Sequence, residues 1–222
     1  MTPGALVRRL LPARAERAVA DAYRDAFVDL DDLARTIGSL GRFVTAIEVG
    51  CGEGALSARL LATTDARLLG IDIAPEPGRR CTGEPGRARF RRQRVEELVA
   101  EGATADLVVL SDVVHHVPVA ERPTFLRACR LLLAPGGLLV VKEWERRRNL
   151  FHALAYGSDR YVSGDRGVSF LTRDDLLALL HEAEPDLTVV CETRVPPRRN
   201  NLLVGLRDLA ADTARPAGAV GR

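Results

Sequence analysis

The chain is nearly devoid of lysine. Of its 32 Lys and Arg residues, all but Lys142 are arginine, a bias read here as genome base composition rather than function. Long apolar runs are also missing. None approaches the ~20 residues that span a bilayer, and Met1–Arg9 has no apolar core of the kind a secretory signal needs. The expectation is a cytoplasmic protein with no membrane partner. The four cysteines, Cys51, Cys81, Cys129 and Cys191, are far apart. That excludes zinc-type spacing and a small disulfide framework. Carboxylates with ligand spacing are absent too, so no metal is expected. The formal charge is only +2, which argues against a nucleic-acid partner bound through phosphate contacts. What remains is 222 residues, 46% hydrophobic and 28% charged, enough for one soluble domain with a substantial core.

One stretch organises the rest. Ala46, Ile47 and Val49 end an apolar strand, Gly50, Gly52 and Gly54 alternate with Cys51 and Glu53, and Leu56, Leu60 and Leu61 recur at helical spacing. A strand that turns through glycines into a helix presents bare backbone and free N–H groups to a nucleotide-type ligand. A dinucleotide fingerprint is G-x-G-x-x-G. Here the spacing is G-x-G-x-G, and Glu48 precedes the first glycine by two residues. A second apolar run, Arg67 to Ile73, carries Asp72 about twenty residues beyond the glycine loop. An acid there suits ribose hydroxyls in a nicotinamide enzyme or in an adenosyl-cofactor enzyme.

The spacing around Glu48 and Gly50 resembles motif I of the class I S-adenosylmethionine-dependent methyltransferases. Two later stretches strengthen the resemblance. Ala105–Asp112 reads as a fourth strand followed by the pair His115-His116, and Leu131-Leu132-Leu133-Ala134-Pro135-Gly136-Gly137 leads into the apolar strand from Leu138. The resemblance covers roughly residues 43–208. It implies an α/β fold, a Rossmann-like doubly wound, mostly parallel seven-stranded sheet ending in an antiparallel hairpin. It implies S-adenosylmethionine as cofactor. Glu48, Gly50, Cys51, Gly52 and Gly54 would surround its methionine part, Asp72 and Ile73 its ribose side, and Ser111 and Asp112 its methyl end. An Asp that often follows the third strand in this family is missing, so backbone at Val95 or the carboxylate of Glu96 is expected to serve the adenine. His115 and His116 are the catalytic candidates, because an imidazole can take a proton near neutral pH.

The flanking segments carry further expectations. Residues 1–42 form an N-terminal helical segment, with one helix over 16–40, that either covers the sheet or acts as a lid. Pro75, Pro77, Gly78, Pro85 and Gly86 leave little or no helix after the second strand. A helix is expected over 119–133 with Pro123 in its first turn. Residues 144–170, with Trp144 and Arg146–Arg148, form an insertion that builds an acceptor pocket. Thr172 and Asp175 make a capping box. Strands over 187–195 and 201–206, joined through Pro196-Pro197, must be antiparallel. Residues 209–222 form a disordered tail. The reaction expected is methyl transfer to O, N or C of a small-molecule acceptor, such as a specialised metabolite. The alternatives are a nicotinamide-dependent oxidoreductase and a non-catalytic S-adenosylmethionine-binding regulatory protein.

Overall fold

A computed structural model describes residues 28–82, 86–146, 169–197 and 200–209. Seven strands form one sheet; six are rich in β-branched residues and leucine, and one edge strand is Ala88-Arg89-Phe90-Arg91-Arg92. In chain order they are β1 (Thr45–Val49), β2 (Arg67–Asp72), β3 (Ala88–Arg92), β4 (Ala105–Ser111), β5 (Leu133–Trp144), β6 (Thr188–Val195) and β7 (Asn201–Arg207). Their order across the sheet is β3-β2-β1-β4-β5-β7-β6. The first five are parallel, and β7 runs antiparallel to both β5 and β6. The central strands are buried on both faces, as a parallel sheet covered by helices requires.

Alternation along the strands divides the core. Val108, Leu110, Leu139 and Val141 face one layer, with Leu98, Leu126, Leu176 and Leu180 packed on them. These come from helices α3 (Val95–Ala100), α4 (Arg122–Leu131) and α5 (Arg173–Ala183). Leu107, Val109, Leu138 and Val140 face the other layer, covered by Leu33, Ile37, Leu56 and Leu60 of helices α1 (Leu30–Ser39) and α2 (Ala55–Thr63). The α/β doubly wound architecture with its terminal hairpin is therefore as expected.

Four element boundaries differ from the sequence reading. The helix expected over 16–40 is interrupted: Asp29 is an extended N-cap whose carboxylate accepts from the Asp32 N–H, so α1 begins at Leu30. Residues 1–27 lie outside the described residues; of the segment expected to cover the sheet or act as a lid, α1 is described and packs Leu33 and Ile37 on the sheet. The helix expected over 119–133 begins as a 3-10 turn at Val119–Glu121 and is α-helical only over Arg122–Leu131. Pro135-Gly136-Gly137 is not a junction before a strand; it lies inside β5. Ala105 pairs with Leu133 and Leu107 with Leu138, so the extra residues bulge out. The fourth strand stops at Ser111 rather than Asp112. The Thr172–Asp175 capping box forms as expected: the Asp175 N–H donates to Thr172 Oγ1 at 3.2 Å and the Thr172 N–H to Asp175 Oδ2 at 3.1 Å. No described helix is long and apolar enough to cross a membrane.

Candidate functional site

The carboxyl ends of β1, β2, β4 and β5 share one rim of the sheet, where an open α/β sheet takes its ligands. The glycine loop leaves β1 there. Gly50 has φ +73°, and a Cβ on it would lie 2.4 Å from Val113 Cγ2. The absent side chain therefore lets the loop after β4 press against the glycine loop. Gly52 also has positive φ, and a Cβ there would meet nothing within 4 Å, so this side of the loop is open to a ligand. Asp72 braces the loop from β2: its Oδ2 accepts from the Gly52 N–H at 2.7 Å and its Oδ1 from the Ala74 N–H at 2.8 Å.

The proline- and glycine-rich segment after β2 has no helix among its described residues. It folds back on the glycine loop instead. The Gly78 and Arg80 N–H groups donate to the Gly52 and Glu53 carbonyls, each at 2.9 Å, and Arg79 and Arg80 ion-pair with Glu53.

Glu48 lies beneath this loop, 3% exposed. Its partner is neutral: the Ser57 hydroxyl of α2 donates to Oε2 at 2.5 Å. Burial pushes its carboxyl up to about 7, and the Asp72 carboxylate adds to the rise against the lowering effect of Ser57. The folded-state value lies above the unfolded one of 4.5. The folded form is therefore penalised as Glu48 ionises, and stability falls as pH rises from 4.5 through 7. Relative to Glu48→Gln, the wild-type unfolding free energy is expected to drop by about 3 kcal/mol between pH 4.5 and pH 8. Urea unfolding of both proteins across that range checks it; parallel curves would refute it.

The loop after β4 is moulded by two consecutive residues of β5. Asp112 has φ 57°, a left-handed conformation that Asp tolerates better than most side chains. Its N–H donates to the Lys142 carbonyl at 2.8 Å, and the Lys142 ammonium, 1% exposed, donates to Asp112 Oδ2 at 2.5 Å. Glu143 points to the opposite face of the strand. Its Oε1 accepts from the Val113 and Val114 N–H groups at 3.0 and 2.7 Å, and its Oε2 lies 2.6 Å from His115 Nδ1. A carboxylate can only accept, so this contact puts a proton on Nδ1; in the neutral imidazole the lone pair is then on Nε2. Arg122 closes the loop from α4, donating to the Val117 and Ser169 carbonyls at 3.0 and 2.7 Å.

The comparisons with known proteins agree with this geometry. A family model described as "Methyltransferase domain" matches residues 46–137. The ubiquinone biosynthesis O-methyltransferase of Xanthomonas oryzae pv. oryzae is 33% identical over 172 residues, which cover 72% of this chain and 70% of that protein. This chain belongs to the class I S-adenosylmethionine-dependent methyltransferase family. The protein of the same name from Cereibacter sphaeroides is 34% identical over 149 residues, 63% of this chain and 59% of that one. The chain therefore spans little more than half the length of that relative. Among solved structures, the 1,6-didemethyltoxoflavin N1-methyltransferase of Burkholderia thailandensis superposes with TM-score 0.64 at 23% identity, covering 86% of this chain and 83% of that one. The latter likeness is one of fold.

Within this methyltransferase fold, the structure gathers most of the residues singled out by sequence. Glu48, Gly50, Cys51, Gly52, Gly54 and Asp72 form one cluster around the glycine loop, with Ile73 67% exposed beside it. Ser111 and Asp112 stand at the end of β4. The two histidines differ in burial: His115 is buried on Glu143 and His116 is exposed, with their ring centroids 4.1 Å apart. Val95 turns its side chain into the core, so its backbone alone is left for a ligand. Of the 144–170 insertion, only Trp144, Glu145, Arg146, Ser169 and Phe170 are described; Arg146 pairs with Asp175 at 3.5 Å.

Three residues were missed. Lys142 and Glu143 interrupt an apolar strand with opposite charges, a signal that was legible. The third is Gln93, whose Oε1 is buried without a hydrogen-bond partner. Its amide orientation is fixed because Nε2 donates to Glu101 Oε1 at 2.6 Å. Asp112, His115 and Glu143 bring ligand-type atoms within 4.8 Å of one another. In this arrangement the cluster carries its own cation, since Lys142 holds Asp112 and Glu143 is engaged at both oxygens.

Proposed function

We propose that this chain binds S-adenosylmethionine at the glycine loop and transfers its methyl group to a hydroxyl oxygen of a small-molecule acceptor, without a metal and in the cytoplasm. The carrying observation is the buried His115–Glu143 pair beside Asp112. An amine acceptor is already nucleophilic, whereas a phenol-type hydroxyl needs its proton removed as it attacks. A buried imidazole held by a carboxylate in one tautomer is suited to that task. The O-methyltransferase names of the relatives favour the same reading, and family membership decides against a nicotinamide oxidoreductase.

The residues present fit the cofactor. The open side of Gly52 would admit its methionine part, Glu48 would give its positive charge a counter-ion, Asp72 would hold its ribose, and the backbone at Val95 would be left for its adenine. When bound, the cofactor supplies an electrophilic methyl. The protein then contributes position: Val113 seated on Gly50 fixes the acceptor loop against the cofactor loop. Holding two reactants in line can contribute up to ~7–11 kcal/mol.

The test begins with calorimetric titration of the protein with S-adenosylmethionine and with NAD. S-adenosylmethionine alone should bind, and Asp72→Ala should weaken it at least tenfold, since it loses both the ribose acceptor and the brace on Gly52. A panel of simple phenols with methyl-labelled cofactor, with and without EDTA, then reads transfer. Transfer to phenols that survives EDTA supports the proposal. Cofactor binding with no transfer to any acceptor would favour the non-catalytic reading.

A further inference from the structure

Glu48 occupies an unusual electrostatic position. It is a fully buried carboxyl with a neutral hydrogen-bond partner, and the charged group that acts on it is another carboxylate. From β1's own loop it faces the Cys51 thiol, from α2 the Ser57 hydroxyl, from β2 the Asp72 carboxylate, and from the following segment the Cys81 thiol. Both thiols are pushed up by burial and by the Glu48 charge itself, so neither supplies nor answers a charge. The neighbouring strand positions, Gly70 and Val109, carry no polar side chain. The arginines of the covering segment, Arg79 and Arg80, are committed to Glu53. A buried anion without a cation is costly. The pocket therefore favours either a proton on Glu48 or a positive charge brought from outside.

We infer that Glu48 is the charge-selecting residue of the cofactor pocket: it holds a proton in the free protein and releases it when the ammonium and sulfonium of S-adenosylmethionine arrive. The inference rests on the cofactor reading above. No bond other than the carboxyl O–H changes, and the proton goes to solvent buffer. Burial that holds the carboxyl up to about 7 makes the exchange observable near neutrality. Ser57 tunes it, because its hydrogen bond favours the ionised form.

The experiment is calorimetric titration of the whole chain with S-adenosylmethionine at pH 6.5 in phosphate and in Tris, whose heats of ionisation differ. The difference in heat counts protons released. The wild type should release roughly three-quarters of a proton more than Glu48→Gln, the fraction protonated when the midpoint is about 7. Between pH 6 and pH 8, wild-type affinity relative to Glu48→Gln should rise about tenfold by the same linkage. Taking the ratio removes the titration of the cofactor's own amino group. Ser57→Ala keeps the carboxyl and should move the midpoint of proton release to higher pH, which serves where Glu48→Gln does not fold. Binding with equal proton counts and equal pH slopes in wild type and variant overturns the inference and leaves the cofactor reading standing. No binding by the wild type overturns both.

Discussion

His115→Ala should lower turnover by about 10²–10⁴-fold, the usual contribution of a positioned general base, while S-adenosylmethionine affinity stays within threefold. His116→Ala should change turnover less than twofold. The two histidines are adjacent and their ring centroids lie 4.1 Å apart, yet only His115 reaches Glu143; His116 is exposed. Steady-state rates with an accepted phenol, together with calorimetric cofactor affinities, read the outcome. Equal losses in both variants would mean that the pair acts by shaping the loop. Retention of turnover within tenfold in His115→Ala would remove the imidazole from the chemistry. Glu143→Gln adds a control, because it replaces the carboxylate that fixes the His115 tautomer with a side chain of the same shape.

A second large effect is expected in stability, and it is asymmetric. Asp112→Gly should cost about 3–5 kcal/mol, because it leaves the Lys142 ammonium buried without its anion. Glycine accepts the left-handed backbone at this position, so the loss reports the charge rather than the turn. Lys142→Met should cost no more than about 1 kcal/mol. It leaves a carboxylate whose side chain is 37% exposed, so water can solvate it. Urea unfolding of the two variants at neutral pH decides the matter. A larger loss in Lys142→Met would show that solvent does not reach Asp112.

The glycine loop, the capping box at Thr172 and the closing hairpin were legible because each is a local pattern, whereas the brace from Asp72 onto Gly52 spans twenty residues. A turn or cap is specified by residues a few positions apart. The moulding of the His115 loop was not, because it depends on register. Ser111 pairs with Lys142 across β4 and β5, about thirty residues away, and the bulge at Pro135–Gly137 changes the count between them. Sequence periodicity does not report a bulge inside a strand. The choice between His115 and His116 was hidden for a related reason: the carboxylate that selects one of the two neighbouring rings, Glu143, lies on another strand.

The seclusion of Lys142 has a practical consequence for anyone labelling this protein. Amine-reactive dyes, biotin esters and the common cross-linkers couple to primary amines. The single lysine among these 222 residues is 1% exposed and bound to a carboxylate, so such reagents should leave Lys142 largely unmodified in the folded protein. Cross-linking maps of any complex should be made instead with carboxyl- or arginine-directed chemistry.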